Sequence, residues 1–308
     1  LRCGPTSRGH CCKPRTAACS VDPMAKALVT GSSSGIGLAT AVRLAQDGHD
    51  VVATMRDRSR SAALLAVCED AGVEVEIVEL DVNDDASVTT AFAQVGPIDI
   101  LVNNAGMSPV GSVEEVPVDE WKALFETNVF GVVRCTQAAL PAMRQQRSGH
   151  ILNMSSVAGR TAIPMFGLYS ATKWAIEALT ESMAMEVAIF GIRATLIEPG
   201  AIATPIREKT GVPDRNSPYR PVAKNWGFSV GYDHANARGP EQVADAVAGA
   251  INDSASPFRV TVGSGIDELI ALRARHDDRQ WIDLWSSETS DFLAQHESLT
   301  GIDLTQSP

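Results

Sequence analysis

The sequence predicts an α/β fold, a three-layer αβα sandwich on a seven-stranded parallel sheet. Three observations point to it. From residue 25 onward, short β-rich runs alternate with helix-period segments. No unit recurs at the spacing of roughly 20–50 residues that marks repeat folds. No linker interrupts the pattern, so residues 24–308 read as one domain.

The elements follow in order. Residues 26–30 (KALVT) form a buried strand, and 35–47 an amphipathic helix closed by Gly48. Residues 51–54 are the second strand, 59–71 a helix ending at Gly72, and 75–80 the third strand. A helix over 85–94 leads to the fourth strand, 98–103. One long helix is expected over 119–146, then a strand over 150–155, a helix over 168–190 and a strand over 193–197. A helix at 242–251 and a strand at 258–262 complete the sheet. Residues 204–240, rich in Pro, Asn and Arg, break the pattern. A segment of that length inside a compact domain reads as a lid over a site. After Gly263 one or two polar amphipathic helices and a loose tail are expected.

Composition narrows the function classes. The net charge of −11 and the lack of basic clusters argue against a nucleic-acid partner. No apolar run reaches the roughly 18 residues of a membrane span. Cys3, Cys11, Cys12 and Cys19 crowd the first 19 residues, and Cys68 and Cys135 fall in helical patterns. A disulfide framework is therefore not expected, and the cytoplasm is the default compartment. Residues 1–23 are basic and lack an apolar core, so they read as a disordered leader or as translation from upstream of Met24. Their cysteines lack paired zinc-ligand spacing, and no metal is expected.

Gly31-Ser32-Ser33-Ser34-Gly35-Ile36-Gly37 joins the first strand to the first helix. Glycines let the backbone turn sharply against a pyrophosphate, and the helix N-terminus offers N–H donors and a positive dipole end. An ordinary βα turn also uses glycine; the position in the first βα unit separates the two readings. At the end of the second strand, an acidic residue favours NAD and an arginine accommodates the 2′-phosphate of NADP. Met55 holds the acid's expected position and Arg56 follows it, which favours NADP, while Asp57 keeps NAD open. Asp81-Val82, after the third strand, would cap the adenine. Asn104-Ala105-Gly106, after Asn103, would lie along the cofactor, unless the asparagines are only turn formers.

Tyr169 and Lys173 are four apart on a predicted helix and project from one face. A phenol near pKa 10 is a poor base at neutral pH. A neighbouring ammonium and a positive nicotinamide ring favour its phenolate, making a tunable acid–base. Ser155 and Ser156 end a strand 13 residues before the tyrosine. Strand alternation points them in opposite directions, and one of them would hold a substrate oxygen. Asn128 sits in the long helix, either bonding backbone or anchoring a water that links Lys173 to solvent.

In this order TGxxxGxG, NNAG, an asparagine, a serine, YxxxK and Pro199-Gly200 make the chain resemble the short-chain dehydrogenase/reductase family over residues 25 to about 265. Residues 53–57 and 36–45 are most similar to its 17β-hydroxysteroid and retinol dehydrogenase branch. The resemblance implies a Rossmann-type fold and hydride transfer between NADP or NAD and an alcohol or ketone. It implies a catalytic tetrad of Asn128, Ser156, Tyr169 and Lys173, with Lys173 also holding the nicotinamide ribose. Family spacing favours Ser156 over Ser155. Pro199, Gly200, Ile202 and Thr204 match the segment that holds the carboxamide. A homodimer or homotetramer built on the helices at 119–146 and 168–190 is implied as well. The expected substrate is a hydrophobic steroid, retinoid or aliphatic carbonyl compound, met by Met107, Ile163, Met165, Phe166, Trp226 and Phe228. The reading from another class is a cofactor-binding sensor or scaffold without turnover.

Overall fold

The computed structural model describes residues 24–205, 216–263 and 266–306. The proposed leader with its four cysteines, and residues 206–215 of the expected lid, lie outside the described residues.

One parallel sheet holds strands β1 (Lys26–Val29), β2 (Asp50–Met55), β3 (Glu76–Glu79), β4 (Ile100–Asn103), β5 (Gly149–Met154), β6 (Ile192–Pro199) and β7 (Arg259–Val262). Their order is β3-β2-β1-β4-β5-β6-β7. The order reverses between β1 and β4, and a parallel sheet binds ligands beyond the strand ends at such a switch point. Register places Val29 level with Ala53 on β2 and Val102 on β4. The turns that follow these strands therefore open into one crevice.

Alternation along the strands divides the core. Ala27, Val29, Val102 and Leu152 face one layer, with α1 (Gly35–Gln46), α2 (Ala62–Ala71) and α8 (Pro240–Asn252). Leu28, Leu101 and Ile151 face the other, with α3 (Asp85–Val95), α5 (Gly131–Gln146) and α6 (Gly167–Val187). Strands buried on both faces read as continuous apolar runs, which is why β1 and β4 stand out in the sequence.

Three expectations need correction. The long helix at 119–146 is broken into α4 (Val118–Phe125), a π-helical turn over Glu126–Phe130, and α5. Asn128 lies in that wide turn, and its amide ties the backbone of Met107 to the helix. Residues 204–240 are not structureless throughout: α7 covers Arg220–Ala235. The chain beyond Gly263 is neither loose nor limited to two helices. It forms α9 (Ile266–Arg275), α10 (Asp278–Ser286) and α11 (Thr289–Thr300). Leu272, Trp281, Leu284, Trp285, Phe292 and Leu304 bury themselves there, packed on Ile163 and Phe228. None of the described helices is long and apolar enough to cross a membrane.

Candidate active site

A cavity of about 1030 Å³ opens beyond the carboxyl ends of the strands, from Arg56 past Tyr169 to Trp285. Its polar half is built by the β1–α1 turn. Gly31 and Gly35 have φ of 72° and 58°, which favours glycine. A Cβ on Gly31 would lie 2.9 Å from the Ala105 backbone. The Thr30 hydroxyl accepts hydrogen bonds from the Asn104 and Ala105 amides at 2.9 and 3.0 Å, locking the two turns together. Asn104 Nδ2 closes the lock by donating to the Thr30 carbonyl at 2.8 Å. The glycines let the β1–α1 turn close onto Ala105 and Thr204, and the turn lines the cavity at the N-terminus of α1, a place suited to a pyrophosphate.

Of the residues expected at the cofactor, Gly31, Ser33, Ser34, Gly35, Ile36, Arg56, Asp81, Val82, Asn104, Ala105, Gly106, Pro199, Gly200, Ile202 and Thr204 border the cavity. Gly37 does not. Its missing Cβ would lie 2.4 Å from both Asn104 Nδ2 and the Gly31 carbonyl, so it serves packing between the two turns. Ser32 is buried and donates to the Val29 carbonyl at 2.9 Å, so it is not a phosphate donor. Asp57 caps the 3-10 turn Arg58–Ser61, accepting from the Ser59 amide at 2.9 Å. Hydrogen bonds from the Ser59 hydroxyl and then its amide hold the Asp57 carboxyl below the usual range. Arg60, which the sequence reading did not single out, also reaches the cavity beside Arg56.

The reactive half is carried by α6 and the end of β5. Tyr169 and Lys173 share one face of α6, with the Lys173 Nζ 5.5 Å from the tyrosine ring centroid. Lys173 is buried and donates to the Met154 carbonyl at 2.7 Å. Burial pulls its ammonium down to about 8, opposed by the charge of Glu177 one turn further on. Burial pushes the Tyr169 phenol up to about 12, and a hydrogen bond with Ser156 opposes that rise. The structure separates the two serines: Ser156 faces the phenol, whereas the Ser155 hydroxyl turns away and donates to Glu177 at 2.5 Å. Ser156 also caps the short turn Val157–Gly159 and donates to the Pro199 carbonyl at 3.3 Å.

Asn128 is buried and stands behind Met107 rather than at the cavity wall. Its Oδ1 accepts from the Met107 amide at 2.9 Å, and its Nδ2 donates to the Met107 carbonyl at 2.9 Å and to Thr172 at 3.2 Å. The side chain thus bonds backbone, one of its two expected uses.

The far end is apolar. Phe166 stacks edge-on against Tyr169 with ring centroids 5.6 Å apart, and Trp226 of α7 follows at 5.7 Å from Phe166. Met107 and Ile163 line this wall too. Met165 and Phe228 do not border the cavity; Phe228 packs into the C-terminal cluster. In their place stand Leu269, Trp281 and Trp285 of the C-terminal helices. The sequence reading missed these because it took the residues after Gly263 for polar helices and a loose tail, away from the site. Tryptophans spaced four apart at 281 and 285 were the available signal.

Comparison with known proteins finds relatives along most of the chain. Residues 25–214 match the family model described as short chain dehydrogenase. The chain is 36% identical over 268 residues to retinol dehydrogenase 8 of Bos taurus, covering 80% of this chain and 84% of that protein. It is 42% identical over 190 residues to estradiol 17-beta-dehydrogenase 1 of Rattus norvegicus, covering 59% and 55%. A short-chain dehydrogenase from Streptomyces avermitilis superposes with a TM-score of 0.72 at 32% identity, over 90% of this chain and 98% of that one. Two further solved relatives hold different cofactors. A metagenomic oxidoreductase at 29% identity and TM-score 0.62 is in complex with NADP, over 79% of this chain and 97% of that one. One from Burkholderia phymatum at 28% and 0.70 is in complex with NAD, over 82% and 93%.

Proposed function

The chain belongs to the short-chain dehydrogenase family, and from that premise we propose that it is an NADP-dependent oxidoreductase interconverting a hydrophobic secondary alcohol and its ketone. The observation that carries the reading is the placement of Tyr169, Lys173 and Ser156 between a phosphate cradle and an apolar chamber within one cavity.

A bound nicotinamide dinucleotide supplies or accepts the hydride. The chain's residues manage the oxygen and its proton. Ser156 donates a hydrogen bond to the substrate oxygen and holds it against the phenol. In reduction Tyr169 gives its proton to that oxygen; in oxidation it takes the proton back. In the protein alone, burial keeps the phenol protonated. Lys173, as an ammonium, favours phenolate, and together with the charge of an oxidised nicotinamide it would lower the phenol toward neutrality. Asn128 positions the Met107 backbone at the mouth of the chamber through two hydrogen bonds.

Arg56 and Arg60 support NADP, since two guanidiniums border the cavity at the end of β2, where Asp57, which also borders it, already accepts from the Ser59 amide. The aromatic wall supports a steroid, retinoid or aliphatic substrate, in keeping with the retinol and estradiol named for two relatives. Phe130, Trp174, Met185 and Ile189 expose apolar surface on or beside the π turn and α6, which supports assembly as a dimer or tetramer through these helices.

Parallel kinetics with NADP and NAD at equal concentration test the cofactor reading. NADP is expected to be preferred, and Arg56→Ala to weaken NADP by about tenfold, the scale of one charge-assisted hydrogen bond, while leaving NAD unchanged. An NAD preference with a silent Arg56→Ala would sink it.

A further inference from the structure

Behind the reactive pair lies a buried ionic cluster that the proposed chemistry does not use. The face of α6 that carries Tyr169 and Lys173 continues one turn further to Glu177, which is buried. Three rungs then meet three successive residues at the end of β5. Tyr169 meets Ser156, Lys173 donates to the Met154 carbonyl at 2.7 Å, and Glu177 accepts from Ser155 Oγ at 2.5 Å. The other oxygen of Glu177 accepts from Arg259 Nε of β7 at 2.9 Å.

We propose that Glu177 is a positioning residue for the Tyr169–Lys173 pair, acting through Ser155 on the place of Ser156 and through its charge on Lys173. The proposal rests on the dehydrogenase reading for its catalytic consequence, though not for its electrostatics.

The anchoring half follows from packing. Ser155 and Ser156 are adjacent, so anchoring the first side chain steadies the backbone from which the second projects. The short turn after them has no slack. A Cβ on Gly159 would lie 2.8 Å from Ser155 Oγ, 3.1 Å from Glu177 Cγ and 3.2 Å from the Lys173 carbonyl. Loss of the Glu177 contact would free the strand end that carries Ser156.

The charge half follows from the groups that face Glu177. On α6 these are Lys173 and, through Arg259, Glu181. From β7 comes Arg259; from β6 comes the fully buried Glu198, which Arg259 approaches at 3.4 Å. From the loop after the Val157–Gly159 turn comes Arg160, paired with Glu198 at 3.2 Å. Arg259 therefore serves three carboxylates, Glu177, Glu181 and Glu198, and Arg160 relieves the last of them. The Glu177 charge opposes the burial that disfavours the Lys173 ammonium. Without it, Lys173 would lose its proton at a lower pH and could no longer favour the phenolate.

Three variants separate the two halves. Glu177→Gln keeps an oxygen that accepts from Ser155 but removes the charge. Ser155→Ala keeps the charge but removes the anchor. Glu177→Ala removes both. Labelled-lysine NMR on the cofactor-free protein reads the Lys173 titration, assigned by its loss in Lys173→Met. The midpoint is expected to fall in both Glu177 variants and to stay in place in Ser155→Ala. Kinetics with NADPH and the best ketone of a steroid, retinal and aliphatic panel read the consequence. Glu177→Gln should lower kcat at neutral pH by about tenfold, within what a positioned acid–base group supplies, with KM little changed. Ser155→Ala should lower kcat without moving its pH midpoint. A thermal melt of each variant checks folding. An unmoved Lys173 midpoint in folded Glu177→Gln overturns the charge role. Wild-type kcat in folded Ser155→Ala overturns the anchoring role. The titration needs no turnover, so an inactive wild-type enzyme would count against the dehydrogenase reading and leave the electrostatic result standing.

Discussion

At the scale of single residues, burial decides which groups carry charge. Lys173 and Tyr169 are both pressed toward their neutral forms, and in the proposed reaction the phenol ionises only when further positive charge arrives. His150 shows the same force away from the site. It is fully buried in β5, accepts at Nδ1 from Arg193 at 3.0 Å, and is thereby left to donate from Nε2 to Thr195 at 2.9 Å. Burial, with the Arg193 charge, pulls its pKa down to about 3. The unfolded imidazole takes up its proton near pH 6.5 while the folded one stays neutral, so the unfolded chain holds more protons between pH 6.5 and about 3. Stability from this group is complete above pH 6.5 and is lost as pH falls, by up to about 1.4 kcal/mol per pH unit. Imidazole NMR should show His150 neutral at pH 5, and a midpoint above that would refute the assignment.

At the scale of elements, the β1–α1 turn and the turn after β4 act as one interlocked unit. Gly37 is the tightest joint in it. Alanine is the better helix former by about 1 kcal/mol, so propensity alone predicts that Gly37→Ala stabilises α1. The Cβ would lie 2.4 Å from Asn104 Nδ2 and the Gly31 carbonyl, and overpacking of that kind costs about 1–3 kcal/mol. The clash wins: Gly37→Ala should melt lower and bind NADPH at least about tenfold more weakly. A variant that melts higher with unchanged affinity would contradict the interlock. This unit also marks the limit of what the sequence makes legible. Glycine spacing and NNAG announce a phosphate turn, since both are local. The π turn at Asn128 is not announced, because the Met107 backbone it clamps is 21 residues away in sequence. Glu177 is visible as a spacing of four from Lys173, yet glutamate on a helix is commonly a solvated charge. Only Arg259 from β7 and Ser155 from β5 make it a buried one. Trp281 and Trp285 were hidden differently: the helices that carry them bury one face against α7 and the loop at Ile163, so their pattern reads as polar and peripheral.

At the scale of the whole molecule, the switch point between β1 and β4 sets the polar half of the cavity, and the C-terminal helices line its apolar half. The sheet supplies rigid strand ends; the aromatic layer of Phe166, Trp226, Trp281 and Trp285 supplies an apolar chamber over Tyr169. On the proposed reading, that division lets the Tyr169–Lys173 pair meet a substrate wall made in part by the C-terminal segment. The central claim is that this chamber delivers a ketone oxygen to the Tyr169 phenol. It is tested most directly by following NADPH oxidation with ketosteroids, retinal and aliphatic ketones, wild type beside Tyr169→Phe, with NADPH affinity measured for both. The account predicts turnover of at least one of these by the wild type. It predicts a loss of about 100-fold or more in kcat for the phenylalanine variant, with NADPH binding retained. Undiminished turnover by Tyr169→Phe would contradict it, and silence of the wild type across the panel with tight NADPH binding would favour a sensor instead.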